Sequence, residues 1–273
     1  MSGEKTLVTP PAVTVPDRES ALEGAMPQGP TSRTRSLNDR GATTPPGLTG
    51  DWDRIHAMLR FVRDHTTAGA LSAVLPPSAH PTVRDILTRH TRFDHGALLV
   101  FADPPESALA DLAERGLQAR ALVPSTVVRS RLAERYAVPA EELPVMITHV
   151  NVPKATEHAL ELFVLSALNM TARRIIDDER ANQYEAHLAF RVTDPDERLL
   201  ELVWDAIARQ LRFTADGSGF NPHQGPSGCT VTYFQGPGRL PLPYGWPRRL
   251  EIIADGHHPK ILRRHRRLMM SIS

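Results

Sequence analysis

The feature that most restricts this chain is an internal repeat. "FDHGALLVFADP" reads as a short apolar strand ending in Asp103 and two prolines, and "ESALADLAERG" as a helix closed by Gly116 in the usual C-terminal position. Three further strand candidates rich in Val, Leu and Ile follow: "LQARALVPSTVV", "LPVMITHVNVP" and "HALELFVLSAL". After a linking helix, "NMTARRIIDDERANQ", the order returns. "EAHLAFRVTDP" is a strand that again ends in aspartate and proline, and "DERLLELVWDAIARQL" is a helix with its apolar residues at helical spacing. "RFTADGSGFNPHQ", "CTVTYFQG" and "RRLEIIADG" are the closing strands. Each copy carries a histidine on its first strand and a glutamate on its last. Glu161 lies 66 positions after His95, and Glu251 lies 64 after His187. Repetition of one supersecondary unit in near-equal register implies that the copies share a core.

The polar residues in these strands have a physical consequence. Alternate residues of a strand share a face, so His187, Ala189 and Arg191 point one way and Leu188, Phe190 and Val192 the other. Glu251 and Ile253 likewise oppose Leu250, Ile252 and Ala254. A carboxylate on an inward face costs several kcal/mol unless it is paired, hydrogen-bonded or coordinated to a metal.

Composition limits the alternatives. At 273 residues and 41% hydrophobic content the chain can bury a sizeable core, and a net charge of +1 favours neither nucleic acid nor an anionic membrane. No apolar run approaches a bilayer span, and the N-terminus lacks the apolar stretch of a signal peptide, which implies a cytoplasmic protein. The single cysteine, Cys229, excludes an internal disulfide and a multi-cysteine zinc site, leaving twelve histidines as the metal-binding stock.

Five segments are expected. Residues 1–50 hold seven prolines and no Phe, Trp, Tyr or Cys, the composition of a disordered leader. Residues 51–92 read as helical: Ile55, Met58, Leu59 and Val62 recur behind Asp51, a candidate N-cap, and "PTVRDILTRHT" suggests a second helix. Both helices should pack on the outside of the two repeated modules. The first module spans 93–170 and the second 171–256. The basic tail, 257–273, has no interleaved aromatics to stack on bases, so it reads as a solvated or partner-facing surface.

The quoted strands and their order resemble the vicinal oxygen chelate superfamily, which includes glyoxalases and extradiol dioxygenases. The resemblance covers about residues 93–256 and rests on "DHGALLVFADP", "HALELFVL", "EAHLAFRVTDP" and "RRLEIIADG". It implies an α+β fold of paired βαβββ modules, each a curved half-barrel, enclosing a metal. It further implies that His95, Glu161, His187 and Glu251 fall on the ligand positions, whereas the dioxygenases use two histidines and one glutamate. An extra helix-like piece, "VVRSRLAERYAV", departs from the pattern and leaves the first module's pairing, and Glu161 with it, less defined.

Two histidines and one carboxylate with open positions suit Fe(II), and a second carboxylate moves the preference towards Zn, Ni, Mn or Co. A non-haem Fe(II) oxygenase acting on a small polar metabolite is therefore expected. The alternatives are a redox-neutral isomerase, epimerase or lyase with Glu161 or Glu251 as proton carrier, and a small-molecule binding protein without catalysis. His149 is the rival of His95 or a cavity-lining residue. Arg191 is a candidate catalytic or carboxylate-binding residue, and Asn221 and His223 stand in a Gly-rich loop that would cover the site. The expected partner is a small-molecule substrate, without nucleic acid or membrane, and a homodimer is an allowed assembly.

Overall fold

The computed structural model describes residues 48–152, 158–166, 170–222, 224–240 and 245–270. Three helices come first: α1 (Trp52–Asp64), α2 (Thr67–Val74) and α3 (Pro81–His90). The first module follows as β1 (Thr91–Phe101), α4 (Ser107–Glu114), a two-residue β2 (Val123–Pro124), α5 (Thr126–Tyr136), β3 (Val145–Asn151) and β4 (Ala159–Leu165). The linking helix α6 (Met170–Asn182) leads to the second: β5 (His187–Val192), α7 (Glu197–Asp205), a π-helical turn (Ala206–Gln210), β6 (Thr214–Asn221), β7 (Cys229–Arg239) and β8 (Pro247–Asp255). The last described element is α8 (Pro259–Met270).

All eight strands form one curled sheet in the order β2-β3-β4-β1-β5-β8-β7-β6. Read outward from the centre, the two halves have the same order: first strand, last strand, then the middle two in reverse. Each first strand pairs parallel with its own module's last strand, and the two first strands pair antiparallel with each other. The fold is α+β, built from paired βαβββ modules as the repeat implies.

Strand alternation divides the core in two. Leu98, Val100, Leu160, Leu162, Phe190 and Leu250 face outward, where Ile55, Met58 and Val62 of α1 and Leu200 and Val203 of α7 cover them. The helices at 51–92 thus pack on the outside, as expected. Their approach is close at Gly96, where a Cβ would stand 2.5 Å from Met58 Sδ. Asp51 precedes α1 but makes no side-chain cap. Its carboxylate instead accepts from Arg54 Nη1 (2.9 Å), Arg180 Nε (3.1 Å) and the Phe101 backbone N–H (3.1 Å), tying α1 to β1 and α6. At α7 the cap is made: Asp196 Oδ1 accepts from Leu199 N–H at 2.7 Å.

The inner face is where the sequence reading needs correction. "LQARALVPSTVV" is not a strand beyond Val123–Pro124, and "STVV" belongs to the region of α5. That helix is the extra helix-like piece of the sequence, and it lies across the concave face. Val128 and Leu132 pack on Ala97, Leu99, Phe101 and Phe163 of the first module, while Val127 packs against Val231, Tyr233 and Ile253 of the second. Val128, Leu132 and Tyr136, each one helical turn from the next, form one buried apolar stripe of α5.

Two boundaries also differ. Leu48, inside the segment read as a leader, is fully buried, and its N–H donates to Asp111 Oδ2 at 2.5 Å. Residues 1–47 lie outside the described residues. The tail holds α8, which buries Ile261, Leu262 and His265 against the sheet while Lys260 and Arg264 pair with Glu197 and Asp205. Amphipathic burial, more than charge, places this segment. No helix among the described residues is long and apolar enough to cross a membrane.

Candidate metal centre

The two central strands bring the repeat's polar residues together. In the antiparallel register His95 stands opposite Ala189 and His187 opposite Ala97. On the outer sides of the pair, Ala189 is matched to Glu251 and Ala97 to Glu161. Each rung therefore reads glutamate, alanine, histidine, and the two rungs run in opposite senses. Ala97 and Ala189, both fully buried, leave room over the centre that a larger side chain would fill.

His95, Glu161, His187 and Glu251 are all buried, and one candidate ligand atom from each lies within 4.8 Å of the other three. His187 Nε2 is 3.0 Å from Glu251 Oε2. His95 Nε2 is 3.4 Å from Glu251 Oε2 and 3.5 Å from Glu161 Oε2, and it is buried without a hydrogen-bond partner. Separations of 3.0–3.5 Å are those of ligand atoms sharing one ion at about 2.1 Å.

The far nitrogens of both rings are already committed. Nδ1–H of His187 donates to the Glu185 carbonyl at 2.8 Å, and Nδ1–H of His95 donates to Asp94 Oδ2 at 3.0 Å. In a neutral imidazole this leaves the Nε2 lone pair aimed at carboxylate oxygens, an arrangement that needs a positive charge between them. A divalent cation would supply it. Without one, burial alone would lower the basicity of His95, but the Glu161 carboxylate overrides it and drives its pKa well above the usual range. Burial would likewise raise both glutamates. Instead His95 pulls Glu161 down to about 2, and the contact with His187, together with the nearby His95, holds Glu251 well below the carboxylate range. The donor set of two imidazoles and two carboxylates fits a divalent ion of borderline hardness.

The remaining sequence candidates fall around this centre unequally. His149 is matched to Glu161 across β3 and β4, its Nε2 3.0 Å from Glu161 Oε1. Its side chain is 29% exposed where those of the four are 6% or less, so it marks the side on which solvent reaches the centre. Tyr233 holds the corresponding place beside Glu251 in the other half, its ring centroid 5.4 Å from that of His187. Arg191 is not a free carboxylate clamp. Its Nε donates to Asp94 Oδ1 at 2.8 Å and its Nη1 to Asp255 Oδ1 at 2.6 Å. Asn221 does not join the centre: it is exposed at the end of β6, matched to Cys229, whereas Tyr233 and Glu251 are matched to each other further along the sheet. Much of the Gly-rich loop is strand, and His223 lies outside the described residues.

Sequence reasoning passed over Asp94, Tyr233 and the two alanines. Asp94 directly precedes His95, and only the register irregularity between Phe93 and His95 turns both side chains to the same ion-pair cluster. Strand alternation predicts the opposite.

The sheet is built from the paired βαβββ modules that the resemblance implies. No family model and no curated protein matches it. Among solved structures, methylmalonyl-CoA epimerase from Mycobacterium tuberculosis is similar at 14% identity over 62% of this chain and 91% of that one, with a TM-score of 0.32. A selenomethionine form of methylmalonyl-CoA epimerase gives 16%, 60%, 95% and 0.32 for the same quantities. A hypothetical protein from Bacillus halodurans C-125 gives 14%, 62%, 96% and 0.33. The chain departs from a plain βαβββ pattern in laying α5 over the concave face.

Proposed function

We propose that this protein is a metal-dependent, redox-neutral enzyme that moves a proton at a carbon next to a carbonyl, an isomerase, epimerase or lyase. The reading rests on one observation: Glu161 stands in the quartet with His95, His187 and Glu251. An oxygenase iron held by two histidines and one carboxylate needs adjacent open positions for substrate and O2. A second carboxylate among the ligands takes one of them and favours Zn, Ni, Mn or Co over Fe(II).

His95, Glu161, His187 and Glu251 would hold the ion, which when bound supplies Lewis acidity towards a substrate oxygen. Glu161 and Glu251 come from strands on opposite sides of the central pair, so the two carboxylates flank one reacting carbon. One accepts its proton, and the same or the other returns it. His149 fixes the second oxygen of Glu161 and lines the approach. Asp94 and the Glu185 carbonyl set the tautomers of the two histidines.

The test loads the purified protein separately with Zn, Ni, Mn, Co and anaerobic Fe(II). Solvent deuterium should enter carbon acids of the 2-oxo and thioester classes, in proportion to bound metal, without consumption of O2. If the iron form consumes O2, and its nitric oxide adduct gives a high-spin signal while no form exchanges deuterium, the oxygenase reading replaces this one.

A further inference from the structure

A second cleft, of about 830 Å³, opens between α5, β6, β7 and the end of α8, and none of the four centre residues lines it. Its walls carry Arg131, Arg135 and Arg239, against the carboxylates of Glu134 and Asp216, with Tyr184 and Met269 among its apolar surfaces.

The arginines are held in place with charge to spare. Glu185, fully buried, accepts from Arg131 Nε (2.8 Å), Arg135 Nη1 (2.6 Å) and Arg249 Nη1 (3.2 Å), and Asp216 pairs with Arg249 Nη2 at 2.8 Å. Three guanidiniums thus share two carboxylates. Arg131 is only 9% exposed, and its Nη1 is buried with no hydrogen-bond partner. A buried donor left unpaired is costly, and more so when it is charged. The side chains are also immobilised by stacking: Arg131 lies 4.7 Å over the Tyr233 ring and Arg135 4.9 Å over the Tyr184 ring. Arg239 is fixed by donating to the carbonyls of Gly245 and Asn182.

We propose that this cleft binds a small organic anion, a carboxylate or phosphate carried on a flat apolar body. The anionic group would meet Arg135 at the cleft wall, with the buried charge of Arg131 behind it, and the body would lie against Tyr184 and Met269. The volume exceeds what a bare inorganic anion needs and falls in the range of small-molecule sites, and the guanidinium fork suits both oxyanions. None of the four centre residues lines the cleft, and the proposal does not rest on the function proposed for them.

Calorimetric titration of the full-length, chelator-treated protein with phenyl phosphate tests this, since removal of metal denies the anion the other site. Sub-millimolar binding is expected, with inorganic phosphate about tenfold weaker and phenol giving no heat. Benzoate in place of phenyl phosphate tells a carboxylate ligand from a phosphate one. Arg135→Gln and Arg131→Gln should each weaken binding about tenfold or more, and Arg135→Gln should leave metal uptake intact. If Arg131→Gln does not fold, Arg135→Gln and Arg239→Gln decide. Absence of binding at millimolar phenyl phosphate overturns the proposal. So does binding that phenol matches, or that the Arg135 change leaves untouched.

Discussion

His187 Nε2 and Glu251 Oε2 lie 3.0 Å apart on neighbouring parallel strands, although 64 residues separate them in the chain. Their contact is buried, and the other ring nitrogen of His187 is already bonded to Glu185. Replacing either residue with Ala should lower metal content by more than the ~10–100-fold typical of losing an outer hydrogen-bond partner. Elemental analysis of the two variants checks this, and full occupancy in both would remove the metal reading of the quartet.

Glu161 decides between chemistries. Glu161→Gln keeps the volume and removes an anionic ligand, so metal affinity and turnover should fall together if all four residues bind. An iron-loaded Glu161→Gln protein that keeps its metal and its nitric oxide signal would return the centre to a three-ligand set.

The alanines test the geometry without touching a ligand. Ala189→Leu adds bulk on the rung between His95 and Glu251 and should abolish metal binding while the protein still folds. Overpacking of this kind costs about 1–3 kcal/mol, which thermal unfolding can measure. Unchanged metal content would mean that the rung is not tightly occupied.

Gly96 faces the opposite way. A methyl group there would meet Met58 Sδ at 2.5 Å and Val62 Cγ2 at 3.0 Å. Gly96→Ala should therefore destabilise the protein by about 1–3 kcal/mol by pushing α1 off the sheet. Denaturant unfolding reads the loss, and the double change Gly96→Ala with Met58→Ala should recover part of it.

His265 sets a pH window for stability. It is fully buried, its Nδ1 accepts from Trp204 Nε1 at 3.2 Å, and burial lowers its pKa from 6.5 to about 4. A depressed folded pKa means that the unfolded chain binds the proton first. The contribution is present above pH 6.5 and is lost as pH falls through 4, about 3 kcal/mol in all. Unfolding free energies measured across this window should fall more steeply for the wild type than for His265→Gln, which keeps an acceptor for Trp204. Parallel curves would show that His265 does not titrate as the burial implies.

The sequence alone determined what depends on local order and on periodicity. The repeat of strand, helix and three strands was legible because each module's apolar alternation is strong, and the matched placement of His95 with Glu161 and His187 with Glu251 followed from it. Those four residues could be named because a polar group on an apolar strand has few reasons to be there. Tertiary structure decided everything that depends on strands meeting. The antiparallel junction of β1 and β5 makes the two histidines diagonal neighbours, and no local signal encodes a pairing across more than ninety residues. The same holds for α5: its propensity reads as a helix, but only the packing of Val127, Val128 and Leu132 on both modules places it over the concave face. Arg191 shows the limit most plainly. Its strand position predicted an inward, available guanidinium, and the fold spends that guanidinium on Asp94 and Asp255, residues 97 and 64 positions away.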